Sequence, residues 1–359
     1  MHLRAWNLKA WIGGLLVAAA LTAAGCGSSN SSSSAAGSSG AAPAATGSQS
    51  AAASSSPAST GGATTTASDA GKTLIVFGAG TLANPWGQEI VAFKKLHPGL
   101  TVHSTFSASG DRVKAITQLH EPDDVLGVAD YSLIPKEMLG HYASWYVGFV
   151  SNEITFAYTS HSKGASQITP SNWYRVLSEP GVKIGRSNPA ADPSGYQILQ
   201  MLKLSQSYYH DPSLSASVLR NSPPSLVAET ETSLLAALQS GQIDYLGIYR
   251  SDALQNHLRY IHLPAQVNLS DQALASHYAT VSTQGATSSS VQAKPIIYGM
   301  TVPSNAPDKA VADQFAAFVL SPKGQAIMHA NGFVVQSPAL GRGALPAAVK
   351  PLTRSWPGG

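Results

Sequence analysis

Thr73-Leu74-Ile75-Val76-Phe77, broken at once by Gly78-Ala79-Gly80-Thr81, decides the fold class. A short apolar run closed by glycines reads as a buried strand. The period then changes. Trp86, Ile90, Phe93 and Leu96 recur at helical spacing, and His97-Pro98-Gly99 stops that helix. Leu100 to Phe106 alternates as a strand. Ser107-Ala108-Ser109-Gly110 leads into a helix through Val113, Ile116 and Leu119, and Asp124 to Ala129 is another buried strand. Such alternation predicts an α/β fold with mostly parallel sheets, since each parallel return needs a crossover helix.

Towards the C-terminus the pattern is interrupted and resumed. Phe149 to Thr159 is a long strand-like run containing Asn152-Glu153, a candidate crossing into a second lobe. Lys183-Ile184-Gly185 gives a strand, followed by a Pro-rich turn and a helix from Tyr196 to Tyr209. Thr232 to Gln239 is helical and Ile243 to Tyr249 strand-like. Pro295 to Val302 is a second long apolar strand that returns the chain, with helices at Ala310 to Leu320 and from Ser321-Pro322 onward. The expected division is lobe 1 at 71–152 and 297–359, and lobe 2 at 153–296. Two crossings around an insertion suit a hinged clamshell with its ligand between the lobes.

Towards the N-terminus the chain says where it works. Arg4 and Lys9 precede an apolar run, Trp11 to Ala24, too short to span a bilayer comfortably and suited to a signal-peptide core. It ends in Leu21-Thr22-Ala23-Ala24-Gly25-Cys26, small residues before the single cysteine of the chain, like a bacterial lipobox. Residues 1–26 are therefore expected to be a lipoprotein leader with Cys26 as the lipidation site. Residues 27–70, almost all Ser, Ala, Gly and Thr, are expected to be a disordered tether, having no large apolar side chains to bury. The folded part is then expected to be extracytoplasmic and lipid-anchored to the cell membrane. With its cysteine spent, the chain has none left for a disulfide or a cysteine metal site. The net charge is +3 and the basic residues are scattered, so no nucleic-acid footprint is present.

Three loop-to-helix junctions have the composition of anion sites: Gly78-Ala79-Gly80-Thr81, Ser107-Ala108-Ser109-Gly110 and Asp192-Pro193-Ser194-Gly195. Helix N-termini offer free N–H groups, and hydroxyls add donors. Plain helix capping explains the same residues. Rival motifs fail. The Gly78-Ala79-Gly80 turn imitates a dinucleotide fingerprint, but the second strand offers no acid for the ribose. Ser160-His161-Ser162-Lys163 has the spacing of penicillin-recognising enzymes without their companion motifs; the nearest run is Ser251-Asp252-Ala253. His257 and His262, five apart, would fall on different helix faces.

The ordered set of local strings resembles the substrate-binding proteins of tungstate/molybdate ABC transporters, particularly an archaeal-type subgroup. The runs include Gly78-Ala-Gly-Thr-Leu82, Ala129-Asp-Tyr-Ser-Leu-Ile-Pro135, Ser151-Asn-Glu-Ile154, Asp192-Pro-Ser-Gly-Tyr196, Ser240-Gly-Gln-Ile-Asp-Tyr245, Ile248-Tyr-Arg-Ser251 and Ala293-Lys-Pro-Ile-Ile-Tyr-Gly299. The resemblance implies a type II periplasmic-binding-protein clamshell that captures tungstate or molybdate and passes it to an ABC permease. It implies no enzyme activity and no cofactor, and the chain is expected to be a monomer. It implies an oxyanion held by Gly80, Thr81, Ser109, Gly110, Ser194, Thr232 and Tyr249. It further implies that Asp192 and Glu231 bring carboxylate oxygens to the tungsten or molybdenum. Read without the resemblance, Glu231 is a first-turn helix acid complementing the dipole. Two departures stand out: Thr81 replaces a serine, and Asp111 follows Ser109-Gly110 where the family has a second serine. Asp111 is expected to point to solvent at the helix start. Two alternatives stay open. One is a binding protein for another tetrahedral oxyanion such as sulfate, or another small solute. The other is a secreted serine hydrolase, for which no local motif supplies a triad.

Overall fold

Leu74 and Val76 are fully buried because β1 (Thr73–Ala79) has a strand on each side and helices on both faces. It pairs in parallel with β2 (Thr101–Ser107) and with β3 (Val125–Val128). The computed structural model describes residues 69–285 and 289–356. The leader, Cys26 and the tether up to residue 68 lie outside the described residues. Among the described residues no helix is long and apolar enough to cross a membrane.

Two sheets organise the chain. The further strands are β4 (Trp145–Ser151), β5 (Ile154–Tyr158), β6 (Ile184–Ser187), β7 (Val227–Ala228), β8 (Tyr245–Tyr249), β9 (Arg259–Tyr260), β10 (Ser282–Gln284), β11 (Ser290–Gln292), β12 (Ile297–Thr301), β13 (Val334–Gly343) and β14 (Thr353–Ser355). The seven-stranded sheet runs β14-β13-β4-β12-β3-β1-β2, and the five-stranded sheet runs β7-β6-β8-β5-β9. Strands β10 and β11 form a separate hairpin. Parallel pairs carry β1 to β3 in one sheet and β6 to β8 in the other. The crossing strands β5 and β12 pair antiparallel with their neighbours. The result is a mixed α/β molecule of two lobes.

The run Phe149 to Thr159, expected as one strand, is two. It breaks at Asn152-Glu153, with β4 in the larger sheet and β5 in the smaller. The Asn152 side chain takes over from the ladder: its Oδ1 accepts from Glu153 N at 3.0 Å, and its Nδ2 donates to Ser251 Oγ at 2.8 Å. The return passes through Ala293 to Ile296 into β12. Two helices also stop earlier than their spacing suggests. Helix Ala83–Lys94 ends before Leu96, and helix Ser109–Thr117 before Leu119, leaving both leucines more than half exposed. Pro98 and the left-handed backbone of His120 end the two segments.

Trp86 holds the larger sheet to its helices. It is fully buried, edge-on to Phe315 at 6.0 Å between centroids and tilted over Phe149 at 6.1 Å. Gly127 makes room for it, since a Cβ there would lie 2.3 Å from the indole ring.

Candidate functional site

The site grows from the start of helix Pro193–Tyr208. Asp192 is its extended N-cap, Pro193 occupies the first turn, where no donor is lost, and Ser194 N donates to Asp192 Oδ2 at 3.3 Å. Gly195 lets this turn press against the end of β6; a Cβ there would be 2.6 Å from Ser187 O and Pro189 N. The packing aims Ser194 Oγ at two carboxyl groups, 2.8 Å from Asp192 Oδ2 and 2.5 Å from Glu231 Oε2. The Ser187 hydroxyl also meets it. One hydroxyl proton cannot serve both acids, so two buried carboxyls in this arrangement keep a proton of their own. Of the two, Glu231 is raised the further. Burial first, then the charges of Asp192 and Asp252, push its carboxyl well above the usual range. Burial also raises Asp192, against the hydrogen bonds it accepts.

Glu231 precedes the short turn Thr232–Leu234 and caps nothing with its side chain. Its carboxyl reaches instead to Ser194. Tyr249, at the end of β8, is fully buried; its hydroxyl donates to Gln197 Oε1 at 2.7 Å. Burial and the nearby Tyr298, Asp192 and Glu231 push its phenol well up. Four residues expected from sequence, Asp192, Ser194, Glu231 and Tyr249, thus share one buried polar space on the smaller sheet.

The larger sheet meets them at three points. Thr81 Oγ1 donates to Tyr298 OH at 3.0 Å, and the Tyr298 ring lies edge-on to Tyr249 at 5.7 Å. Gly80 faces Thr232, whose Oγ1 would be 3.0 Å from a Cβ on Gly80, so a larger residue there would have to push the Thr232 hydroxyl aside. Gly110 N donates to Ala191 O at 3.0 Å, one residue before Asp192. Ser109 is turned elsewhere: its Oγ accepts from Ala129 N at 3.1 Å and ties the helix to the end of β3. Of the three junctions, side-chain capping occurs only at Asp192. Asp111 is not simply in solvent. It lies 3.6 Å from Lys114 and beside Glu229, whose carboxyl it raises.

Sequence reasoning missed several groups. Asn152 links the lobes by donating to Ser251, and it also reaches Tyr298 OH, which takes the Thr81 hydroxyl within the larger lobe. Tyr196 OH donates to the buried Asp130 Oδ2 at 2.6 Å, and Lys294 Nζ lies 2.8 Å from the same oxygen. Burial alone would raise Asp130, but the Lys294 ammonium and the accepted hydrogen bonds hold it below the usual range. Asp252 is also buried here, at 2% exposure. Its only trace in the sequence reading was the Ser251-Asp252-Ala253 run set aside as a failed enzyme motif. The other rival motifs remain apart. The Lys163 ammonium donates to the carbonyl of Gly181, and His257 and His262 are exposed. A cavity of 790 Å³ between Arg250, His257, Asn331 and Phe333 contains none of the nine expected site residues.

Chemically, the cluster sets carboxyls beside hydroxyl and N–H donors. The contacts of Asp192, Ser194, Glu231 and Tyr249 are hydroxyls, an amide and carboxyls, with no lysine or arginine. Among the described residues no group of three or more His, Cys, Asp or Glu is placed to hold a metal cation.

Residues 74–334 match the family described as bacterial extracellular solute-binding protein. An uncharacterized solute-binding protein of Petrotoga mobilis is 38% identical over 272 residues, covering 74% of this chain and 84% of that protein. The molybdate/tungstate-binding protein WtpA of Pyrococcus abyssi is 35% identical over 306 residues, covering 78% of this chain and 89% of the relative. Among solved structures, the periplasmic molybdate-binding protein of Azotobacter vinelandii aligns with TM-score 0.55 and 19% identity, covering 73% of this chain and 99% of that one. The sulfate-binding protein SubI of Mycobacterium tuberculosis aligns with TM-score 0.53 and 14% identity, covering 78% and 90%. At these identities the two structures speak for the two-lobed fold alone.

Proposed function

The chain belongs to the bacterial extracellular solute-binding protein family, and on that premise we propose that it captures tungstate or molybdate outside the cytoplasmic membrane and delivers the ion to an ABC permease. The observation that carries the reading is the juxtaposition of Asp192 and Glu231 around Ser194, buried among hydroxyls. Sulfur and phosphorus centres do not expand to six ligands here. The ionised Asp192 beside sulfate would repel it in a desolvated cleft, at a cost of several kcal/mol, with no bond to the centre to offset it. Tungsten and molybdenum accept carboxylate oxygens as ligands, which turns the repulsion into bonding. The names of the curated relatives support the same choice.

In this reading the oxyanion is cargo, not cofactor, and no reaction is catalysed. Asp192 and Glu231 reach the metal. Ser194, Thr81, Thr232 and the N–H groups of Gly80 and Gly110 offer donors to the oxo groups, with Tyr249 at the floor, while Ser109 stays engaged with Ala129 N. The proton kept by Glu231 must pass to solvent when its carboxylate coordinates, and the Gly110 N–H must exchange Ala191 O for an oxo group. The protein acts as a monomer held to the membrane by a lipid on Cys26. Replacing Cys26 by Ala should release the protein from the membrane fraction or leave it unprocessed.

Calorimetric titration with tungstate, molybdate, sulfate and phosphate tests the reading. Tungstate and molybdate should bind, and sulfate and phosphate should bind far more weakly. Glu231→Gln should weaken tungstate by a factor of ten or more, about 1.4 kcal/mol. Tighter oxyanion binding by that variant, with stability intact, would instead mark Glu231 as a repulsive bystander and favour a sulfate-like site.

A further inference from the structure

Asp252 is the polar group around this site that the reading above leaves without a task. It stands in the first turn of helix Arg250–Gln255, three residues after Tyr249, and is almost fully buried. Its Oδ2 is buried with no hydrogen-bond partner. A buried oxygen left unpaired forfeits the hydrogen bonds it had in water, so its persistence calls for a function.

The groups around Asp252 restrict what that function is. From the opposing loops it feels Asp192, and it in turn acts on Glu231 and on the phenol of Tyr298. Its helix packs on β5, β8 and β9. The titratable groups there are Tyr158, Tyr245, Tyr249, Arg259 and Tyr260. Arg250, on the same helix, is engaged with Glu153 at 3.4 Å and with Tyr260. Beside Asp192, Glu231 and a bound dianion, a third ionised carboxylate would add repulsion where the dielectric is lowest. A neutral carboxyl at the same place adds a donor.

Resting on the tungstate/molybdate reading, we propose that Asp252 is a specificity-determining residue that meets the oxyanion as a neutral acid, donating a hydrogen bond from its carboxyl O–H to an oxo group. Fully deprotonated oxyanions only accept hydrogen bonds, so this donor favours them over hydrogen phosphate, which brings its own proton. Burial, reinforced by the charge of Asp192, pushes Asp252 up to about 8, which keeps the acid neutral at physiological pH.

The test is tungstate affinity of the full chain between pH 6.5 and 9.5, for wild type, Asp252→Asn and Asp252→Ala. Asparagine keeps a donor and cannot ionise; alanine keeps neither oxygen. At pH 7, D252N should bind within about threefold of wild type, and D252A at least tenfold more weakly. The ratio of wild-type to D252N affinity should then fall about tenfold per pH unit above pH 8, for one proton. Deprotonation of Glu231 acts in the opposite sense, and because Asp252 acts on Glu231 the same ratio is also measured in the Glu231→Gln background, where it should fall with the same slope. A ratio independent of pH, or D252A binding as wild type does, would overturn the proposal while leaving the tungstate reading in place. Failure of wild type to bind tungstate or molybdate at any pH would overturn both. If D252A does not fold, as judged by circular dichroism, the D252N ratio decides alone.

Discussion

Glu89 shows what one buried acid does to stability away from the site. It is fully buried in helix Ala83–Lys94 with neither carboxyl oxygen partnered, and burial pushes it well above the usual carboxylate range. A folded-state value above the unfolded one stabilises at pH below the unfolded value, near 4.5, and that contribution is lost as pH rises through the folded value. Glu89→Gln removes the ionisation, so the melting temperature of the variant relative to wild type should climb steadily from pH 5 to pH 8.5. A constant difference across that range would show that Glu89 is not neutral in the folded protein. Its position was legible in the sequence: Glu89 lies between Trp86, Ile90 and Phe93 on one helical face. Charge argued for solvent, spacing argued for the core, and spacing prevailed. Asp252 was not legible in this way. Its helix is short, and its environment is set by loops sixty and twenty-one residues away in sequence, Asp192 and Glu231.

At the scale of elements, period and punctuation sufficed wherever a strand or helix faces one core. The β1-helix-β2-helix-β3 order, the helix after Asp192 and the return strand at β12 all follow from local runs. The run across Asn152-Glu153 was misread because apolar composition continues through the crossing while the hydrogen-bonding partner changes sheet. Periodicity carries no information on which sheet receives a strand. Packing at Trp86 should be correspondingly non-local. Trp86→Ala removes the ring shared by β4, through Phe149, and helix Lys309–Leu320, through Phe315. Its cost should be about 3–5 kcal/mol in urea unfolding. A loss below about 1 kcal/mol would mean that the site collapses to fill the space.

For the whole molecule, the polar contacts between the two sheets matter most. Tyr196 starts in the helix that carries Asp192 and Ser194 and reaches Asp130, at the end of β3, while Lys294 on the return crossing holds the same carboxylate. In a hinged closure the Tyr196 hydroxyl, carried by the inserted lobe, would reach Asp130 only when the lobes are together. Tyr196→Phe should therefore weaken tungstate by roughly fivefold, about 1 kcal/mol, and small-angle scattering should show less compaction on adding ligand. Equal affinity and equal compaction would remove Tyr196 from the closure. The depth of the site has a further consequence, in time rather than affinity. Thr81, Asp192, Ser194, Glu231 and Tyr249 are all buried when the sheets are together, which leaves an ion held between them no side exit. Departure then waits on the parting of the lobes, so tungstate and molybdate should leave at similar rates even where their affinities differ. Entry should saturate with concentration at the frequency of opening, and an open permease that pries the lobes apart would set the residence time of the cargo.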